Sequence, residues 1–363
     1  MYKNLYKNTF RNKKVIVTGH TGFKGSWLAA WLNQLQAKVI ALSKDIPTNP
    51  SHYELIKDSF ASDIRMDITN YTEIYKRILH YKPHYLFHLA AQPIVLTSYD
   101  DPLTTFQSNT IGTLNILESL RKINHTCTVV IVTSDKCYEN LDKKVRYKES
   151  DRMGGKDPYS ASKGSAEIII KSYCESFFKK DTSNVRLASA RAGNVIGGGD
   201  WAAHRIVPDC IKSWATNKDV VIRNSLSTRP WQHVLEPLSG YLSLALQLEE
   251  NKELNGESFN FGPSTKNEYS VGDLVNELSK QWPGSAWTDT TNKNEKLYEA
   301  SLLSLNCDKA SKLLNWSSVL GFPETAKWTA KWYYEYYNQS KKSALKLTTE
   351  QIQSYNELSK IFG

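Results

Sequence analysis

No stretch of this 363-residue chain supplies the roughly 18 consecutive apolar residues that a bilayer-spanning helix requires, so a membrane protein is not expected. Cysteine is scarce and poorly placed for crosslinking. Cys127, Cys137, Cys174, Cys210 and Cys307 are an odd, scattered set without a CxxC pair, which argues against a disulfide framework or a zinc site and for reduced thiols used in packing. The first residues, MYKNLYKNTFRNKK, are basic but run straight into VIVT without the apolar core and small-residue cleavage site of a secretory signal, so a cytoplasmic location is expected. Low-complexity tracts and internal repeats are missing as well. Positive charge is in excess, 46 Lys and Arg against 37 Asp and Glu, yet it is spread along the chain and mixed with acids. A solvated basic surface that favours an anionic small substrate fits this better than nucleic-acid binding.

What is present is alternation. VIVTG is followed by the amphipathic SWLAAWLNQL, then KVIAL, ITNYTEIYKRILHY, HYLFHLAA, TIGTLNILESLRKI, TVVIVTS, the helical YSASKGSAEIIIKSYCESFF and VRLASARAGNV. Strand and helix repeating at this length predict an α/β fold, a Rossmann-type doubly wound parallel sheet with helices on both faces. The length exceeds the ~250–300 residues at which single cores stop growing, so a second lobe is expected. After Val195 the composition shifts to a Gly-rich loop and then to a Trp- and Tyr-rich tail. The expected division is a dinucleotide-binding domain over 10–193, joined by 229–262, and a smaller mixed α/β C-terminal substrate lobe over 194–228 and 263–363. The tail KKSALKLTTEQIQSYNELSKIFG reads as a surface helix.

TGHTGFKG puts Gly19, Gly22 and Gly25 directly after a strand and at the start of a helix. Glycines there permit a tight turn and let backbone N–H groups reach a pyrophosphate at the positive end of the helix. Thr21 and Phe23 of this loop are counted with the cofactor contacts. Asp45, 20 residues past Gly25, is placed to accept hydrogen bonds from ribose hydroxyls, which favours NAD over NADP. Asp67 is either an adenine contact or the cap of the following helix. Ala90, Ala91 and Gln92 of HLAAQP give small side chains past which a dinucleotide could run, and Asn109 joins the same candidate group.

The chemistry is concentrated in two strings. YSASK places Tyr159 and Lys163 one helical turn apart, with Asp157 and Pro158 as the start signal. A phenol with a free pKa near ~10 becomes a usable base when an ammonium stands beside it, and Tyr159 and Lys163 also belong to the candidate cofactor contacts. TSDKCYEN, at the end of a buried strand, adds Ser134, Asp135 and Lys136. Ser134, Tyr159 and Lys163 suffice for oxidising an alcohol with NAD. An additional acid and base, Asp135 and Lys136, point to elimination.

The strings TGHTGFKGSWL, FHLAAQP, TSDKCYEN, MGGKDPYSASKG, RAGNVIGGGDWA, RPWQHVLEPLSGY and NFGP resemble the extended short-chain dehydrogenase/reductase superfamily. Within its NAD-dependent epimerase/dehydratase family they resemble the CDP-glucose 4,6-dehydratases over about residues 10–330. The resemblance implies that CDP-glucose is oxidised at C4, loses water across C5 and C6 and regains hydride at C6, giving CDP-4-dehydro-6-deoxyglucose for deoxysugar and surface-polysaccharide synthesis. It also implies a homodimer or tetramer and no metal. On the substrate side it implies Asn194, Trp201, Arg205, Arg229, Gln232 and His233. Many nucleotide-sugar dehydratases carry Asp-Glu where this chain has Asp135-Lys136, which leaves the C5 base open. Another NAD-dependent nucleotide-sugar dehydratase, a 4-epimerase and a non-catalytic dinucleotide-binding sensor remain as alternatives.

Overall fold

A computed structural model describes residues 5–141, 145–264, 268–290, 304–338 and 343–361. Parts of the expected second lobe, 265–267, 291–303 and 339–342, lie outside the described residues, as do both ends of the chain. Seven strands build the main sheet: β1 (Lys14–Thr18), β2 (Lys38–Ser43), β3 (Asp63–Arg65), β4 (Tyr85–His88), β5 (Cys127–Val132), β6 (Val185–Ala192) and β7 (Ser258–Phe261). Their order is β7-β6-β5-β4-β1-β2-β3, and every neighbouring pair is parallel. β1, β4 and β5 are buried from end to end apart from Lys14, as strands covered on both faces must be.

The helices that matter for function are α1 (Phe23–Gln34), α2 (Tyr71–Tyr81), α3 (Gly112–Arg121), α4 (Pro158–Tyr173), α5 (Ile206–Trp214), α6 (Leu235–Glu250), α7 (Phe322–Asn338) and α8 (Ala344–Ile361). α1 carries no polar face in its middle; Gly25 through Leu32 are all buried, because α6, α8 and the sheet surround it. Asp157 caps α4 by accepting from the Ser160 backbone N–H at 2.9 Å, and Pro158 occupies its first turn, so the expected start signal is the real one. The strand order reverses between β1 and β4, and at that point the carboxyl ends of the strands open a crevice of the kind in which α/β proteins bind ligands. There the Thr18 hydroxyl and the His88 ring pair at 2.7 Å and fix the two strand ends side by side.

Among the described residues, four short two-stranded ladders lie outside the main sheet: Thr228–Arg229 with Tyr269–Ser270, Val195–Ile196 with Gln232–His233, Val220–Ile222 with Trp287–Asp289, and Arg146–Tyr147 with Ser304–Leu305. The tail differs from expectation. α8 is a helix but not a surface one, since Leu347, Ile352 and Tyr355 are buried, the Tyr355 ring meets Trp31 edge-on at 5.6 Å, and its hydroxyl donates to the Glu236 carboxylate at 2.8 Å. Its apolar stripe was hidden by the polar residues between. No helix of the described residues is long and apolar enough to cross a membrane.

Candidate active site

Backbone sterics shape the first β–α turn. Gly19 has φ +78°, and a Cβ there would lie 2.6 Å from the Ala90 amide nitrogen. One on Gly25 would lie 2.1 Å from the Gly19 carbonyl oxygen. Gly22 precedes α1 with extended backbone and no side chain caps the helix, which leaves the positive end of α1 facing the crevice. This side-chain-free cradle fits the pyrophosphate of a dinucleotide. Thr21 does not face it: its hydroxyl donates to the Asp45 carbonyl at 2.6 Å and its N–H to the Ser43 hydroxyl at 3.3 Å, tying the loop to the end of β2. Phe23 turns toward Gly197, so it packs between the two Gly-rich loops.

Asp45 is exposed beside Lys44, and Lys44 pairs with Asp67 at 3.0 Å. Burial pushes the Asp67 carboxyl up, but the Thr69 N–H and hydroxyl and the Lys44 ammonium outweigh it and hold it below the usual range. The cap of α2 is Asn70, which accepts from the Glu73 N–H, whereas Asp67 closes a local turn on Thr69. Ala90 N–H donates to the Thr18 hydroxyl at 3.2 Å. Gln92 N–H donates to Asn109 Oδ1 at 2.8 Å, and Asn109 Nδ2 donates to Ser162 Oγ at 2.9 Å. Asn109 is therefore buried and spends its amide on fixing the 90–92 loop to α4; Ala91 sits within that loop.

At the end of β5, Ser134 has extended backbone and opens the short turn Asp135–Cys137. Its hydroxyl donates to Asp135 Oδ1 at 2.9 Å and accepts from the Lys136 N–H at 3.2 Å. Tyr159 and Lys163 face this turn from α4, both buried, and the Tyr159 N–H is held by the Ser98 hydroxyl at 3.2 Å. Burial pushes the Tyr159 phenol up to about 12, against the pull of the Ser134 hydroxyl, and lowers the Lys163 ammonium to about 8. Burial likewise raises the Asp135 carboxyl, opposed by Lys136, Ser134 and Lys24. A Cβ on Gly193 would stand 3.1 Å from Asp135 Oδ2, so the end of β6 closes over the carboxyl. Lys136 is only partly buried.

Sequence reading passed over Lys24. From the first turn of α1 its ammonium lies in the field of Asp135, Lys163 and Arg205, and burial lowers it to about 8. The available signal was a lysine between Phe23 and Gly25, directly after the glycine turn.

The substrate-side residues separate into two groups. Asn194 is partly buried just beyond β6, Arg205 pairs with Asp200 at 2.9 Å and acts electrostatically on Tyr159, and Arg229 lies partly buried in its short ladder. Trp201 and His233 are core instead. Trp201 packs on Trp332, Tyr333 and Tyr336 with ring centroids 5.5–5.9 Å apart. His233 is enclosed by Trp27 and Trp328, and burial lowers its ring to about 3. Gln232 is buried too, donating to the Phe261 carbonyl at 3.1 Å. The resemblance put these groups on the substrate side, but the aromatic surroundings of Trp201 and His233 come largely from α7, far along the chain. Among the described residues no group of three or more His, Cys, Asp or Glu could hold a metal ion.

Comparison with known proteins shows the family and the fold. The family model described as GDP-mannose 4,6 dehydratase matches residues 16–329. CDP-glucose 4,6-dehydratase of Salmonella typhimurium is 42% identical over 332 residues, covering 90% of this chain and 92% of that one. CDP-paratose 2-epimerase of Salmonella typhi is 28% identical, covering 73% and 83%. Among solved structures, dTDP-glucose 4,6-dehydratase of Bacillus anthracis in complex with NAD superposes with a TM-score of 0.70 at 21% identity, covering 90% of this chain and 97% of that one, which speaks to the shared fold. With a family model spanning most of its length and a curated relative at this identity, the chain belongs to the GDP-mannose 4,6 dehydratase family and, within it, to the group of the CDP-glucose 4,6-dehydratases.

Proposed function

We propose that this enzyme converts CDP-glucose to CDP-4-dehydro-6-deoxyglucose and water with NAD as cofactor. The observation that carries the reading is the buried Asp135 carboxyl, raised by burial and hydrogen-bonded to Ser134 of a Ser134–Tyr159–Lys163 set. The Gly19–Gly25 loop would hold NAD, which when bound would supply the acceptor for the C4 hydride and its donor to C6. Tyr159 takes the proton of the C4 hydroxyl, and Ser134 hydrogen-bonds the same oxygen. The Lys163 ammonium one turn away reduces the cost of the phenolate. Asp135, its carboxyl raised by burial, gives its proton to the C6 oxygen as water leaves. Lys136 removes the C5 proton or steadies the enolate formed beside the 4-ketone, and a solvent-derived proton returns to C5 as hydride adds at C6. Arg205, Arg229 and Asn194 hold the diphosphate, a task suited to the fork of a guanidinium.

The same reading divides the chain into a cofactor domain, 10–193 with 229–262, and a substrate lobe, 194–228 with 263–363. It makes the protein a cytoplasmic homodimer, and light scattering that returned a monomer would contradict that part. The choice of nucleotide is supported by the Salmonella typhimurium relative. The test is a panel of CDP-, dTDP-, UDP- and GDP-linked hexoses, followed by mass spectrometry. The expected result is loss of one water from CDP-glucose at the highest kcat/KM. A C4 epimer of unchanged mass, or turnover confined to another nucleotide, would overturn it.

A further inference from the structure

Glu167 lies one helical turn beyond Lys163, so Tyr159, Lys163 and Glu167 follow one another at four-residue spacing along one face of α4. Carboxylates are almost never fully buried unless paired, and Glu167 is only 4% exposed. Its Oε2 meets Arg191 Nη2 at 2.8 Å, both side chains being buried, and accepts from Ser189 Oγ at 2.9 Å. Its Oε1 accepts from Thr133 Oγ1 at 2.5 Å. Thr133 immediately precedes Ser134, while Ser189 and Arg191 belong to β6. One carboxylate thus joins the helix of Tyr159 and Lys163, the end of β5 that carries Ser134, and the strand beside it. Burial raises the Glu167 carboxyl, but Arg191, Thr133 and Ser189 together outweigh this and hold it below the usual range.

Arg191 extends the network. Its Nη1 donates to the Tyr138 hydroxyl at 2.8 Å and to the Glu149 carbonyl at 3.1 Å; the Tyr138 hydroxyl donates to Asn260 Oδ1 at 2.7 Å, and the Asn260 N–H donates to Glu149 Oε1 at 2.8 Å. The segment that leads from the Ser134 turn to α4 is therefore held from behind by the same charges. Stability alone is a weak explanation, because well-packed apolar residues often replace a buried ion pair without loss.

We propose that Glu167 is the positioning residue of the Ser134–Tyr159–Lys163 set: through Thr133 it fixes the strand end carrying Ser134 against the helix face carrying Tyr159 and Lys163, and its charge holds the Lys163 ammonium. The groups that face its carboxylate are Arg191 from β6, Lys163 and Cys174 from its own helix and its continuation, and Cys137 from the turn, with Tyr138 behind Arg191. The inference rests on the roles given above to Ser134, Tyr159 and Lys163, but two of its readouts need no substrate. Thr133→Val removes the tie to the strand end and leaves the ion pair whole. In the folded variant, amide hydrogen exchange at Ser134, Asp135 and Lys136 should rise tenfold or more. Its kcat on CDP-glucose should fall at least tenfold at unchanged KM, as sub-ångström misplacement of reacting groups does, and Thr133→Ser should restore both. In Glu167→Gln the Lys163 ammonium loses its facing anion. NMR of isotope-labelled lysine, assigned with Lys163→Arg, should then place its midpoint below that of the wild type measured alongside. Wild-type exchange and kcat in Thr133→Val, or an unmoved Lys163 midpoint in folded Glu167→Gln, would overturn the proposal. Should Glu167→Gln fail to fold, Thr133→Val decides alone. A wild-type protein inert toward CDP-glucose would contradict the proposed function, while exchange at 134–136 would still decide the role of Glu167.

Discussion

Asp135 and Lys136 are neighbours in the chain with unlike surroundings: the carboxyl is closed in by Ser134 and the Gly193 backbone, and the ammonium is partly exposed. Elimination needs a proton on the departing C6 oxygen, whereas oxidation at C4 does not. Asp135→Asn should therefore lower formation of the 6-deoxy product by about 10²–10⁴-fold while cofactor reduction on mixing with CDP-glucose persists. Rapid-mixing absorbance together with product analysis reads both. Product at the wild-type rate would remove Asp135 as the acid, and absence of the reduced cofactor would place it earlier. At this scale the sequence was readable where a reaction imposes spacing, as for Tyr159 and Lys163. It was not where burial decides: the resemblance put Trp201 and His233 on the substrate side, yet here they fill an aromatic core with Trp332, Trp328 and Trp27. Glu167 stood in plain view four residues after Lys163, but its partners Thr133, Ser189 and Arg191 meet it only through strand order.

The cofactor turn makes the element-scale argument testable, because its glycines are not equivalent. A Cβ on Gly25 would strike the Gly19 carbonyl at 2.1 Å, backbone against backbone, while one on Gly22 would reach it only at 3.4 Å, an ordinary contact. Gly25→Ala should destabilise the fold by about 1–3 kcal/mol, the usual cost of forced overpacking. Gly22→Ala should stay within about 0.5 kcal/mol of wild type. Urea unfolding of the two variants side by side checks the difference, and equal midpoints would contradict the geometry. Elements marked by apolar runs or cap residues, such as β1, β5 and α4, were legible in the sequence, whereas the amphipathic reading of SWLAAWLNQL does not hold, since α1 is buried all round in its middle. The docking of α8 was not, because its contacts with Trp31 and Glu236 join residues more than a hundred positions apart.

Across the whole molecule, buried histidines govern behaviour in acid, and of the four among the described residues, His20, His52, His88 and His233, the last three are lowered most. His52 sits between Ser26 and Thr348, His88 between Thr18 and Thr113, and His233 among tryptophans; burial lowers each ring to about 3. Below pH ~6.5 the unfolded chain takes up protons that the folded chain refuses, so stability falls as pH drops, each ring contributing about 1.4 kcal/mol per unit. Glu236, raised to about 7 by burial, binds its proton more readily when folded and offsets one of the three between about pH 7 and 4.5. The urea midpoint should thus fall steadily from pH 6.5 to 5, and the fall should steepen in Glu236→Gln; a flat midpoint would contradict it. The most direct test of the reaction itself follows one hydrogen. CDP-glucose labelled with deuterium at C4 should yield a nucleotide sugar one water lighter, with the deuterium at C6 and solvent hydrogen at C5. Deuterium that stays at C4 of a sugar of unchanged mass, or that is lost to solvent, would contradict the account.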